Sequence, residues 1–177
     1  MKKISKPTLD EHAVYYEKCI AMVDNDSSVL NQLKENGKRV VNLYKSLDTA
    51  QLTTPYEVGK WSLKDLLMHL IDCERVFIYR AMRFARKDKT PMPFFDEDEF
   101  AKNAQADLIP INKLLKEYQA TRNLSIHFYY NLNTAQYKQI GIASNCNMSV
   151  RACPWIICGH ELHHLAVVKE RYLKRSE

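Results

Sequence analysis

Apolar residues recur at steps of three and four along most of this chain, and that spacing limits its fold more than any other feature. Between residues 28 and 47 the series is Leu30, Leu33, Gly37, Val40, Val41, Tyr44 and Leu47. From residue 62 to about 87 it is Leu63, Leu66, Leu67, Leu70, Phe77, Ile78, Ala81, Phe84 and Ala85. Residues 111–131 repeat the pattern with Leu114, Leu115, Tyr118, Thr121, Leu124, Ser125 and Phe128, continued by Leu132. A fourth apolar segment runs from about 150 to 173. A helix turns once in about 3.6 residues, so each series places one apolar stripe on one face. With only four glycines and few β-branched runs, the pattern predicts an all-α chain of four long helices.

The connections carry their own signals. His12 to Met22 is long enough for a short helix, and Asp24-Asn25-Asp26 breaks it. Residues 48–60 are predicted as a loop through Thr53-Thr54-Pro55 and Gly59. Ser62 then caps the second long helix, with Asp65 three residues on. Pro91 and Pro93 preclude a regular helix in the 88–109 connection, which also holds the acidic run Asp96-Glu97-Asp98-Glu99. So long a link suits a bundle that is not simply up-down-up-down. Residues 132–148 are predicted as a further connection, ending at Ser149 as the cap of the last helix. Pro154 makes that helix start near Cys153 or bend there. No composition break divides residues 1–177, so a single domain is expected.

Lys and Arg exceed Asp and Glu by five, but they are spread along the chain. No nucleic-acid partner is expected. No apolar run is long enough to span a bilayer, and Met1-Lys2-Lys3-Ile4 leads into polar residues rather than an apolar signal. The five cysteines form no framework, so reduced thiols in a cytoplasmic protein are expected.

Chemistry concentrates at Gly159-His160-Glu161-Leu162-His163-His164. His160 and His164 lie one helical turn apart on one face and can share a metal ion. The best third ligand is His69 on the second long helix. Asp65, Asp72, Cys73 and Val76 fall within about 60° of it around the axis. Cys73 is an alternative ligand or a small buried thiol. Asp72 and Glu161 are candidates to orient a ligand or move protons, and His163 either lines the pocket or sits at its boundary. His127 is isolated and reads as structural or exposed. Arg80, Arg83 and Lys87 continue the His69 face about 16–27 Å further along, too far to touch an ion there; a solvated charged face is expected, with the acidic 96–99 segment, a bound anion or a second subunit as alternative partners.

His160-Glu161-Leu162-His163-His164 matches the His-Glu-x-x-His helix of zinc peptidases letter for letter. That motif needs a third ligand downstream. Only thirteen residues follow His164, with no glycine turn leading to another histidine, so the peptidase reading is set aside.

Taken together, the chain resembles the DinB/YfiT-like superfamily, in its DinB-like domain branch. The resemblance is carried by Tyr15-Tyr16-Glu17-Lys18, Gly59-Lys60-Trp61-Ser62, His69-Leu70-Ile71-Asp72-Cys73-Glu74-Arg75, Tyr79-Arg80-Ala81-Met82-Arg83-Phe84-Ala85-Arg86, Phe95-Asp96-Glu97-Asp98, the histidine motif and Glu170-Arg171-Tyr172. Cys153-Pro154 departs from the pattern. The resemblance implies a four-helix bundle with a long crossover, a divalent metal (Zn, Ni or Fe) on His69, His160 and His164, and a homodimer. It implies thiol chemistry on a small-molecule substrate, with S-transfer from a low-molecular-weight thiol of the bacillithiol kind as the favoured reaction. The alternatives are metal-dependent hydrolysis and a non-catalytic, metal-stabilised binding or stress-response module. No catalytic residue is assigned from sequence.

Overall fold

A computed structural model describes residues 3–173. Four long helices dominate it: α2 (Val29–Lys45), α4 (Leu63–Ala85), α6 (Ile111–Asn131) and α8 (Ala152–Val167). Short helices α1 (Glu17–Ala21), α3 (Thr49–Thr53), α5 (Glu97–Ala104) and α7 (Thr134–Tyr137) fill the connections, and strands β1 (Ile140–Ala143) and β2 (Cys146–Ser149) form a hairpin. A five-residue π-helical turn, Val168–Tyr172, extends α8. No helix among the described residues is long and apolar enough to cross a membrane.

The predicted stripes are the buried faces. Leu30, Leu33, Val40, Val41 and Tyr44 of α2 meet Leu63, Leu66, Leu67, Leu70, Phe77, Ala81, Phe84 and Ala85 of α4 in two adjoining apolar clusters. Each fully buried leucine contributes about 1.5–3 kcal/mol by leaving water. In α6 the stripe holds at Leu114, Leu115 and Tyr118, but Leu124 is exposed while Arg122 and Tyr129 are buried. Ser62 caps α4 as expected: its Oγ accepts from the Asp65 amide, and Asp65 accepts from the Ser62 amide in return.

Helix α4 packs on α6 and α8, and α2 packs on the same two helices. Helices α2 and α4 therefore occupy opposite corners, as do α6 and α8. The links that cross a diagonal are 46–62 and 132–151, whereas the long 86–110 link joins neighbours.

The connections are more ordered than predicted. Residues 49–53 form a capped turn of helix, with Asp48 accepting from the Gln51 amide. The acidic run is the first turn of α5, not part of a loop: Asp96 Oδ1 accepts from the amides of Asp98 and Glu99, and carboxylates at a helix start oppose its dipole favourably. The prolines exclude a helix only over 91–93. The 132–148 connection contains α7 and the hairpin, whose two-residue turn places Ser144 and Asn145 at φ 53° and 61°, as a primed turn requires. Met92 joins this hairpin, donating its amide to Ile142 O and accepting from the Ser144 amide, both at 3.0 Å. That contact pins the proline strap, and Phe94 and Phe95 follow it. Ser149 caps α8 from three residues ahead, its Oγ accepting from the Ala152 amide at 3.0 Å.

Candidate metal centre

Helices α4 and α8 cross where His69 faces His160 and His164. Nε2 of His69 lies 3.1 Å from Nε2 of His160, and Nε2 of His164 lies 3.0 Å from the same atom. All three nitrogens fall within 4.8 Å of one another. The middle imidazole can donate at most one N–H, so hydrogen bonding cannot satisfy both contacts at once. A cation satisfies all three lone pairs, and nitrogens held about 2.0–2.1 Å from one ion lie about 3 Å apart. The donor set and its spacing therefore fit one divalent ion. Burial keeps the rings in the neutral state that ligation needs: it pulls His69 down to about 4 and His164 to about 3, and holds His160 far below its ordinary value. Repulsion among the rings adds to the shift at His160 and His164.

Around the triad, Trp61 packs its ring 4.7 Å from that of His69. Nδ1 of His69 has the Cys73 Sγ at 3.6 Å, and Nδ1 of His164 is buried with no hydrogen-bond partner among the described residues. Burial raises the Cys73 thiol to about 12, so without an ion it stays protonated. The triad opens onto a cavity of about 580 Å³. His163, exposed and with its ring 5.2 Å from that of His164, stands at its edge. Tyr15 and Tyr16, and Phe94 and Phe95 from the strap, also line the cavity.

Gly159 brings the first of these walls in. A Cβ there would stand 2.0 Å from the carbonyl oxygen of Cys19, so only glycine lets α1 lie against α8. Gly37, by contrast, has Arg122 Nη1 at 3.4 Å from a built Cβ, a contact that alanine can make.

Three sequence expectations change. Glu161 is not a base beside the histidines. It is 1 % exposed and turned about 100° from His160, toward α6. There Arg122 Nη2 donates to it at 2.7 Å, and Tyr118 donates its hydroxyl to the same carboxylate. Arg122 also donates to Glu74 through Nε and Nη2 at 3.0 Å. Burial disfavours the Arg122 charge, but the two carboxylates outweigh it and hold the guanidinium protonated. Asp72 does not orient a histidine; it pairs with Arg75 on the outer face of α4. Arg80 is not solvated: it is 2 % exposed and borders the cavity. Arg83 and Lys87 do face outward, Arg83 pairing with Asp88 at 2.6 Å. His127 is exposed.

Residues 32–168 match the model of the DinB superfamily. The chain belongs to that superfamily. It is 26 % identical over 142 residues to a protein of Oceanobacillus iheyensis that is provisionally named a metal-dependent hydrolase, covering 79 % of this chain and 81 % of that one. A similarly named protein of Geobacillus thermodenitrificans is 35 % identical over 69 residues, 39 % of either chain. The solved structure of YfiT from Bacillus subtilis, described as a probable metal-dependent hydrolase with an unusual four-helix bundle topology, superposes with a TM-score of 0.71. It shares 19 % identity, covering 96 % of this chain and 92 % of that one. The all-α bundle with added short helices is the fold that this likeness shows.

Proposed function

We propose that this DinB-superfamily protein is a metal-dependent hydrolase of small molecules, with His69, His160 and His164 as the ligands of one divalent ion. The observation that carries the reading is the convergence of three neutral imidazole nitrogens at the wall of an open cavity. A divalent ion there would lower the pKa of bound water and polarise a substrate carbonyl or phosphoryl oxygen. The protein's part is to hold the three rings, through the crossing of α4 and α8, and to leave the cavity side uncovered. Trp61 packs against His69 at a tilt of 47° and limits its rotation. His163 is placed to exchange protons between the cavity edge and solvent. Glu161 takes no part, because Arg122 and Tyr118 occupy its oxygens. The names of the relatives support hydrolysis over the thiol transfer that the resemblance first implied. The open cavity argues against a purely structural ion.

The test is an assay of untagged protein, stripped with a chelator and reloaded separately with Zn, Ni, Fe(II) and Mn. Ester, amide and phosphoester substrates are offered with and without low-molecular-weight thiols. The expected result is about one ion per chain and metal-dependent, thiol-independent turnover, both lost in His69→Ala and His164→Ala. Turnover only in the presence of a thiol would replace hydrolysis by S-transfer, and failure to bind any of the ions would remove the metal centre itself.

A further inference from the structure

We propose that the cavity selects substrates bearing an anionic oxygen group, carboxylate or phosphate-like, and that Arg80 receives that group. The proposal rests on the cavity being the substrate chamber of the metal centre. His69, Cys73, Phe77 and Arg80 follow one another at helical steps, and eleven residues bring Arg80 back to within about 20° of His69 around α4. Side chains on a helix lean toward its N-terminus, so the long arginine reaches back toward the histidines. All four residues line the same cavity.

Arg80 is held in place but not neutralised. Its Nη2 donates to Pro93 O at 3.1 Å and to Ser144 Oγ at 3.0 Å, which fixes it between the strap and the hairpin turn. Its guanidinium lies against the rings of Phe77 and Phe95, 5.6 and 5.9 Å from their centroids. Among the described residues no carboxylate forms an ion pair with it. Arg122 is as deeply buried and has two carboxylates. A buried cation without a counter-ion is costly, and Arg80 has donors to spare. The missing partner is supplied by the ligand. Glu97 also lines the cavity, but it is exposed and forms no ion pair with Arg80, so solvent screens it more than it screens the buried guanidinium.

The experiment compares ω-mercapto acids, from mercaptopropionate to mercaptooctanoate, with the alcohols and amines of the same length. Binding to the cobalt-loaded protein is read from thiolate-to-cobalt absorption. Binding of the corresponding simple acids and alcohols to the metal-free protein is read by calorimetry. Mercaptoalkyl sulfonates and phosphonates then distinguish a flat carboxylate from a tetrahedral anion. Acids are expected to bind at least roughly tenfold tighter than alcohols once the chain is long enough to span the cavity, as a charge-assisted hydrogen-bonded pair gives. Arg80→Met removes the difference. Ser144→Ala, which loosens the tether and keeps the charge, retains it. Equal binding of acids and alcohols in the wild type, preference for amines, or acid selectivity that survives Arg80→Met would each overturn the proposal. If the methionine variant does not fold, the wild-type comparison decides alone. If cobalt is not bound, the metal centre fails, and the metal-free arm still decides the role of Arg80.

Discussion

Two buried polar clusters lie about 100° apart around α8, on consecutive residues, and they are built on opposite principles. Glu161 belongs to a closed cluster in which Arg122 bridges two carboxylates and Tyr118 completes the hydrogen bonding. His160 belongs to an open one, where three nitrogens face each other without enough donors to satisfy them. The closed cluster has spent its bonding capacity on the fold. The open cluster keeps its capacity for something the chain does not contain. Completeness of bonding, rather than burial or residue type, separates the structural polar cluster from the proposed metal site here.

The largest expected effect is on the closed side. Arg122→Met leaves Glu74 and Glu161 buried without their counter-ion, and breaking such a pair costs about 3–5 kcal/mol. Urea unfolding should show that loss; a cost below about 1 kcal/mol would mean that the cluster is not the structural element described. Gly159→Ala comes next. Its Cβ meets backbone rather than a movable side chain, so α1 must shift. Stability should fall by about 1–3 kcal/mol, as for overpacking, and cysteines and tyrosines near the cavity should become more accessible to labelling.

On the open side the pattern reverses. His164→Ala should abolish metal binding by elemental analysis while costing the metal-free protein only about 1 kcal/mol, the worth of at most one hydrogen bond to His160. Acid should act there as well. The three histidines are neutral in the folded state, with folded values near 3–4 for His69 and His164 against about 6.5 unfolded. The unfolded chain binds more protons between those values. Stability is therefore full above about pH 6.5 and is lost as pH falls toward 4, and a pH series of melts in wild type and His164→Ala should show a shallower slope in the variant. The smallest effect is expected at Cys73→Ala, which should leave metal content unchanged; loss of the ion would make the thiol a ligand.

Much of this was written locally. The stripes on α2 and α4, the Ser62–Asp65 cap and the His160–His164 pair each depend on residues three or four apart, and helical geometry alone reads them. His69 could be named because it sits beside the apolar stripe of a long helix. Glu161 could not be placed, because the first half of α8 is buried on every side from Ala152 to Gly159, and a helix apolar all round announces no inner or outer face. Arg80 was read as solvated for a related reason. Its burial comes from the Pro93 carbonyl, Phe95 and Ser144, all outside α4. The hairpin hid behind a short alternation, Ile140 and Ile142, and a Ser-Asn turn without the usual glycine. Spacing along the chain decided which residues form helices and which two histidines pair. Only the packing of α4 against α8 brought His69 to that pair, and only the strap and hairpin turned a surface-patterned arginine into the wall of a cavity, because burial depends on what a face meets and not on the face alone.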